Sequence, residues 1–326
     1  MVIPALENEI SNAIYSRRQA TSLSKLDLEI HPFFLRSRTS PLPWIKGLRS
    51  LKSAIRQFRP HLIHAQYGTV TAVTCALSSS LPLVVSFRGS DLNPSPGTPW
   101  WRSKIGRWLS LWAARRASQI IYVSAGLKSG FKPSRDRAHT IPSGVNLDAF
   151  CPMPQDECRA KLGWRQDEKI AVFNAGTNPI GKCQDLAESA TKAAQSRIGD
   201  IRLHIFDGTT PPDMMPIYLN AANCLLMTSA YEGSPNVIKE ALACGLPIVS
   251  VNVGDVEQRL AGVEPSIIVK RDSQAFGNAI ADIIQDRRRS NGRERVQGLD
   301  EKRIARQVRE VYHLALGRAI DAPKNE

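Results

Sequence analysis

The chain lacks any apolar run that could cross a bilayer. Stretches such as Leu83 to Val85 or Cys224 to Met227 are a few residues long, against the ~20 that a spanning helix needs. Its start, MVIPALENEI, has neither a basic leader nor a continuous apolar segment, so it does not read as a secretory signal, and a cytoplasmic location is expected. Cysteine is sparse: six residues, Cys75, Cys151, Cys158, Cys183, Cys224 and Cys244, contain no CxxC pair, which argues against a zinc site and for reduced thiols. The six histidines (His31, His61, His64, His139, His204, His313) show no metal-ligand spacing and read as structural. His64 is the best exception because it ends a predicted strand. Zinc-finger spacing, a basic zipper and an aromatic RNP signature are all missing, so no nucleic-acid partner is expected. Internal repeats and low-complexity tracts are missing too.

What is present describes a soluble globular protein. The 326 residues are 42% hydrophobic and 22% charged, and their number suits two domains better than one. With 43 Lys and Arg against 30 Asp and Glu, the net charge is +13. That excess is one-sided. Residues 1–150 hold 20 basic and 7 acidic side chains, whereas residues 151–326 hold 23 of each. A basic first half is expected to meet something polyanionic.

Short β-branched runs alternate with amphipathic stretches along the chain. Strands are predicted at 28–34, 61–65, 83–87, 119–123, 138–141, 169–174, 202–206, 224–227, 247–251 and 266–269. Alternation of buried strands and helices predicts parallel sheets with right-handed crossovers, and strand ends that supply the ligand site. The segment Ile141 to Pro154, with Gly144 and three prolines, coincides with the change in charge. It divides the chain into Rossmann-like domains over 1–150 and 151–326. The first half opens almost directly in a predicted helix, Glu7 to Ser24, so its first strand is expected to be absent.

Two motifs carry chemistry. GTNPIGKC, Gly176 to Cys183, has the spacing of a phosphate-binding P-loop between a strand and a helix, and LHIFD, Leu203 to Asp207, fits a Walker B strand. A P-loop NTPase or kinase is one reading of that pair. Pro179 removes an amide from the cradle, however, and Cys183 lacks the hard oxygen that Mg²⁺ prefers. The second motif, YEGSPNVIKEALACGLPIVS from Tyr231, places Glu232 just outside a predicted helix and Glu240 inside it. Amides of Gly233 to Val237 would form the positive end of that helix, a seat for phosphate or sugar oxygens. Two acceptor-only carboxylates about ten ångströms apart along the helix can grip hydroxyls at both ends of a nucleotide sugar. The alternative is that both glutamates are merely helix-start and surface residues.

The second motif resembles the signature of retaining family-4 glycosyltransferases with the GT-B fold. Segments 61–68 (HLIHAQYG), 85–93 (VSFRGSDLN), 120–128 (IIYVSAGLK), 141–150 (IPSGVNLDAF) and 217–236 agree in order, and the likeness covers roughly residues 60–315. The resemblance implies two doubly wound domains facing each other across a cleft, acceptor-side first and donor-binding second. It implies that Glu240 holds the ribose of the donor nucleotide, that Glu232 contacts the transferred sugar, and that Lys182 neutralises the diphosphate. Gly176, Gly233, Ser234 and Asn236 would line the donor, and no metal or other cofactor is needed. Two positions depart from the family. Thr177 stands for its usual arginine, and Arg88 for a histidine of the block after the third strand; Arg88 cannot act as a titrating base but can bind phosphate. The family's glycine-rich loop after the first strand has no counterpart.

The implied acceptor is a glycan or lipid-linked glycan of cell-surface polysaccharide. Trp100, Trp101, Trp108 and Trp112 interleave with Arg102, Lys104, Arg107, Arg115 and Arg116, and 44–58 has a similar basic pattern. Such a helix suits an anionic membrane surface, though Trp101, Ile105, Trp108 and Trp112 at helical spacing also suit a core. A peripheral enzyme at the inner membrane face is therefore expected, with a non-catalytic nucleotide-binding relative as the alternative.

Overall fold

The computed structural model describes residues 1–7, 13–36, 40–94, 98–130 and 135–317. It divides into two units, Met1–Gly144 together with the stretch from Glu301 onward, and Val145–Asp300. The first crossing lies inside the predicted 141–154 segment. The second corrects the 151–326 boundary, because the last helix returns to unit 1. Its stripe Ile304, Ala305, Val308 and Val311 is buried in one cluster with Leu23, Val84, Ile121 and Ile141. At Gly144 a Cβ would sit 2.6 Å from Glu301 Cα, so only glycine lets the two segments pass.

Unit 1 runs β1 (Val2–Ile3), α1 (Ile14–Ser24), β2 (Phe33–Phe34), α2 (Pro41–Phe58), β3 (Ile63–Ala65), α3 (Thr69–Ser78), β4 (Leu83–Phe87), α4 (Trp100–Arg116), β5 (Gln119–Tyr122) and β6 (Ala138–Thr140). The strands form one parallel sheet in the order β2-β1-β3-β4-β5-β6. Strand alternation sends Val85, Phe87, Ile120 and Tyr122 into a core with Leu51 of α2, Ala72 of α3 and Ala113 of α4. Val84 and Ile121 face the opposite core under α1 and the C-terminal helix.

The expectation of a missing first strand is corrected. Val2 pairs with Phe33 on one side and Ala65 on the other, so the chain's opening residues hold a central position. Two residues followed by Pro4 are too few to show strand periodicity, which is why the sequence hid them. Beside Met1 lies a cavity of about 410 Å³ bordered by Leu28, Leu51, Phe58 and Tyr312. The helix predicted over 7–24 is observed from Ile14; residues 8–12 of that prediction lie outside the described residues.

Unit 2 runs α5 (Gln155–Leu162), β7 (Ile170–Asn174), α6 (Pro179–Lys182), α7 (Gln184–Ile198), β8 (Arg202–Phe206), α8 (Met215–Ala221), β9 (Cys224–Met227), α9 (Asn236–Ala243), β10 (Ile248–Ser250), α10 (Val256–Leu260), β11 (Ile267–Ile268) and α11 (Ser273–Asp286). Its parallel sheet has the order β11-β10-β9-β7-β8. Helices α7 and α11 approach closely through small residues, with a Cβ at Gly277 falling 2.6 Å from that of Ala193. The chain then enters α12 (Glu301–Ala315) in unit 1.

Both sheets are doubly wound, and each has a point where strand order reverses: between β1 and β3 in unit 1, and between β7 and β9 in unit 2. Loops leaving such neighbours diverge to opposite faces and open a crevice at the carboxyl ends. That rule places the candidate residues of unit 2, whereas in unit 1 Arg88 follows β4, one strand beyond the reversal.

Candidate active site

In unit 2 the loops after β7 and β9 bring the expected residues together. After β7, Gly176 takes φ +52° and its N–H donates to Phe206 O at 2.9 Å, which turns the chain toward α6. Asn178 caps that short helix, its Oδ1 accepting from Gly181 N at 3.0 Å. Lys182 then reaches across to Glu232, forming an ion pair with Oε1, while Ser229 Oγ donates to the same oxygen at 2.8 Å. The loops are also tied through their backbones: Ala230 N donates to Gly181 O at 3.1 Å, and Thr228 Oγ1 to Lys182 O at 2.7 Å. An ammonium has three N–H donors, and Glu232 takes one, so the pair presents both a cation and a carboxylate.

Glu240 lies four residues into α9 and is only 3% exposed. The turn before that helix is held from one side. Ser234 Oγ donates to Asp255 Oδ2 at 2.8 Å and accepts from Lys239 Nζ at 3.2 Å, and Arg259 pairs with Asp255 at 2.9 Å. Gly254, at φ +61°, lies so close that a Cβ would be 2.8 Å from Gly233 O. Gly233 and Ser234 are thereby fixed at the entrance of α9. Asn236 Oδ1, at the first turn, is buried with no partner among the described residues.

In unit 1, Arg88 follows β4 in a turn built by Asp91. The Asp91 carboxylate accepts from Gly68 N (2.9 Å), Gly89 N (2.8 Å) and Arg88 N (3.1 Å). Burial pushes its pKa up, and those three amides pull it back. The Arg88 side chain is held by neutral groups: Nε donates to Gln66 O at 3.0 Å, Nη1 to Ser143 Oγ at 3.0 Å, and Nη2 to Gln66 Oε1. Burial lowers its pKa to about 10, which still leaves it charged at neutral pH. His64 is not the ligand its strand-end position suggested. It is buried, with Nδ1 bonded to Tyr312 OH at 2.7 Å and Nε2 to Ser86 Oγ at 2.8 Å, and burial holds its pKa well below the usual histidine value. It ties α12 to the sheet.

The geometry agrees with the likeness to known proteins. The family model described as Glycosyltransferase Family 4 matches residues 12–149, and that of Glycosyl transferases group 1 matches residues 165–286. The chain belongs to the family-4/group 1 glycosyltransferases. TuaC of Bacillus subtilis (strain 168), a glycosyltransferase named for teichuronic acid biosynthesis, is 27% identical over 276 residues, 76% of this chain and 69% of that protein. Sucrose-phosphate synthase from Thermosynechococcus elongatus superposes with a TM-score of 0.77 at 19% identity, covering 93% of both chains. Anabaena Alr3699/HepE in complex with UDP-glucose gives 0.68 at 19% identity, covering 93% of this chain and 90% of that one. The fold of this glycosyltransferase is accordingly GT-B.

The P-loop alternative is not favoured. In the glycosyltransferase Lys182 ends a helix of four residues, Cys183 breaks it with φ +52°, and the lysine is turned onto Glu232. Sequence reasoning missed Arg271 after β11, which donates to the carbonyls of Thr228 and Ser229 and lies 3.4 Å from Cys183 Sγ. It fixes the loop that carries Glu232; its place at a strand's carboxyl end was the available signal. Gln66 and Ser143, which seat Arg88, lie within segments 61–68 and 141–150, where nothing in the sequence marks them as its partners. Among the described residues no group of three His, Cys, Asp or Glu is placed to hold a metal, and no helix is long and apolar enough to cross a membrane.

Proposed function

We propose that this glycosyltransferase moves a sugar from a nucleotide-sugar donor, with retention, to a glycan or lipid-linked glycan acceptor in cell-surface polysaccharide synthesis, without a metal. The observation that carries this reading is the joining of Lys182 and Glu232 at the reversal of the unit 2 sheet, with Glu240 on the helix that follows. Unit 2 takes the donor. Glu240 accepts from the ribose hydroxyls, Glu232 from a hydroxyl of the sugar, and the Lys182 ammonium meets the diphosphate. As the bond from the anomeric carbon to the diphosphate breaks, charge grows on the leaving oxygen; a cation fixed there lowers the barrier more than it tightens ground-state binding. The acceptor oxygen bonds to the anomeric carbon, and its proton leaves with the diphosphate.

Arg88 supplies a fixed cation in unit 1, at the position of the family's histidine. Unit 1 takes the acceptor, and its basic character suits work at the inner face of an anionic membrane. The name of TuaC supports a polysaccharide product, and the UDP-glucose bound to HepE supports a nucleotide-sugar donor. Thermal stabilisation by a panel of nucleotide sugars tests this reading. A true donor at ~100 times its Kd adds about 2.7 kcal/mol, whereas stabilisation only by ATP with Mg²⁺ would overturn it.

A further inference from the structure

In its first half, helix α4 inverts the usual rule of burial. Its inward face, against α3, is made of small residues: Ser110, Ala113 and Ala114 are buried, and a Cβ at Gly106 would already meet Thr69 Cγ2 at 3.4 Å. Leu109, Leu111 and Trp112 pack partly buried against the core, whereas the large apolar side chains of its first half turn outward. Trp100, Trp101, Ile105 and Trp108 are 70%, 51%, 52% and 63% exposed. Trp101, Ile105 and Trp108 stand at i, i+4 and i+7, so they make one stripe about 10 Å long. Scattered exposed apolar residues are ordinary, but a continuous aromatic stripe on a helix whose core face holds alanine and serine marks a contact surface.

The surrounding charge names the partner. α4 contains no Asp or Glu, and Arg102, Lys104, Arg115 and Arg116 are exposed along it. Cations and rings lie at one level: Lys104 Nζ is 4.8 Å from the Trp100 ring centroid, and the Arg102 guanidinium 5.9 Å from that of Trp101. α2, which packs on α3 like α4, is also free of acidic residues and exposes Leu42 and Ile45. Tryptophan has an apolar body with an N–H at its edge, which suits the depth where acyl chains meet phosphates, and lysine and arginine suit the phosphates above.

We propose that the Trp101–Ile105–Trp108 face of α4 lies flat on an anionic bilayer, with its rings at the acyl boundary and its cations on lipid phosphates. This rests on the reading that the enzyme works at a membrane, and it names the face that makes the contact. The test is co-sedimentation of the full chain with phosphatidylcholine vesicles, with and without phosphatidylglycerol, for wild type, the triple variant Trp100→Ala/Trp101→Ala/Trp108→Ala, and Arg102→Glu/Lys104→Glu. Wild type is expected to bind the anionic vesicles with a blue shift of tryptophan emission, and both variants to bind about tenfold or more weakly. Donor hydrolysis in solution should be unchanged in the triple variant. Equal binding by wild type and triple variant overturns the assignment of this face while the membrane reading stands. Absence of binding by wild type overturns both. A wild-type dimer that the triple variant dissolves, with no vesicle binding, would make the stripe a contact between copies of the chain.

Discussion

In unit 2 the cation and carboxylate at the end of the sheet are bonded to each other, Lys182 to Glu232, whereas in unit 1 the Arg88 guanidinium is seated on the Gln66 and Ser143 oxygens while the nearby Asp91 carboxylate is engaged by backbone amides. The same contrast runs through the whole chain, since residues 151–326 balance their charges and residues 1–150 do not. One Rossmann-like topology thus supports two electrostatic arrangements. A closed ion pair fixes two side chains in advance and presents little net charge. A desolvated cation held by neutral groups keeps its charge available for an oxyanion, at a cost in solvation that binding can recover.

Variants can break this comparison from either side. The largest effect is expected from Lys182→Ala, which should lower kcat by about 10²- to 10³-fold while the donor KM changes much less, because the missing charge is needed as the leaving group forms. Steady-state kinetics at varied donor decides this, and a defect confined to KM would remove the lysine from that role. Next, Glu240→Gln keeps the volume of a buried side chain but replaces a charged acceptor. Nucleoside diphosphate affinity, measured by calorimetry, should fall about 30-fold, equivalent to ~2 kcal/mol, with little change in melting temperature.

In unit 1, Arg88→Lys keeps the charge and loses the planar fork that reaches Gln66 and Ser143 together. Activity should drop about tenfold, and Arg88→Gln should be worse; equal activity of both would mean that geometry rather than charge is what Arg88 contributes. The smallest effect concerns stability. The folded pKa of His64 lies below the unfolded value of ~6.5, so the unfolded chain takes up a proton in acid that the native state refuses. Stability should therefore fall as pH drops below ~6.5, by up to about 1.4 kcal/mol per pH unit. Urea titrations at several pH values should show that slope, and His64→Gln should flatten it.

The parts legible in sequence were those that repeat a local pattern. β4 and β9 were readable to the residue because each is a short, mostly apolar run between polar turns, and β8 because Leu203 and Ile205 alternate with Arg202 and His204. The Glu232–Glu240 segment was readable because its loop and helix are contiguous. Lys182 was visible in its loop, but not its bond to a residue fifty positions on, and Arg271, Gln66 and Ser143 act through tertiary contacts that leave no spacing. β1 was hidden by its length, two residues whose strand character comes from the neighbours on either side. Which unit the apolar stripe of α12 covers depends on the shape of the exposed sheet face.

On the proposed function, the unit 2 crevice binds and cleaves a nucleotide sugar through Glu240, Glu232 and Lys182. The most direct test is release of nucleoside diphosphate from a panel of nucleotide sugars, in EDTA, by wild type and by Glu240→Gln, each with and without membrane-derived glycan acceptor. Release from at least one nucleotide sugar by wild type, stimulated by acceptor and lost in the variant, is the expected result. Release that requires Mg²⁺, or that survives Glu240→Gln undiminished, would contradict it.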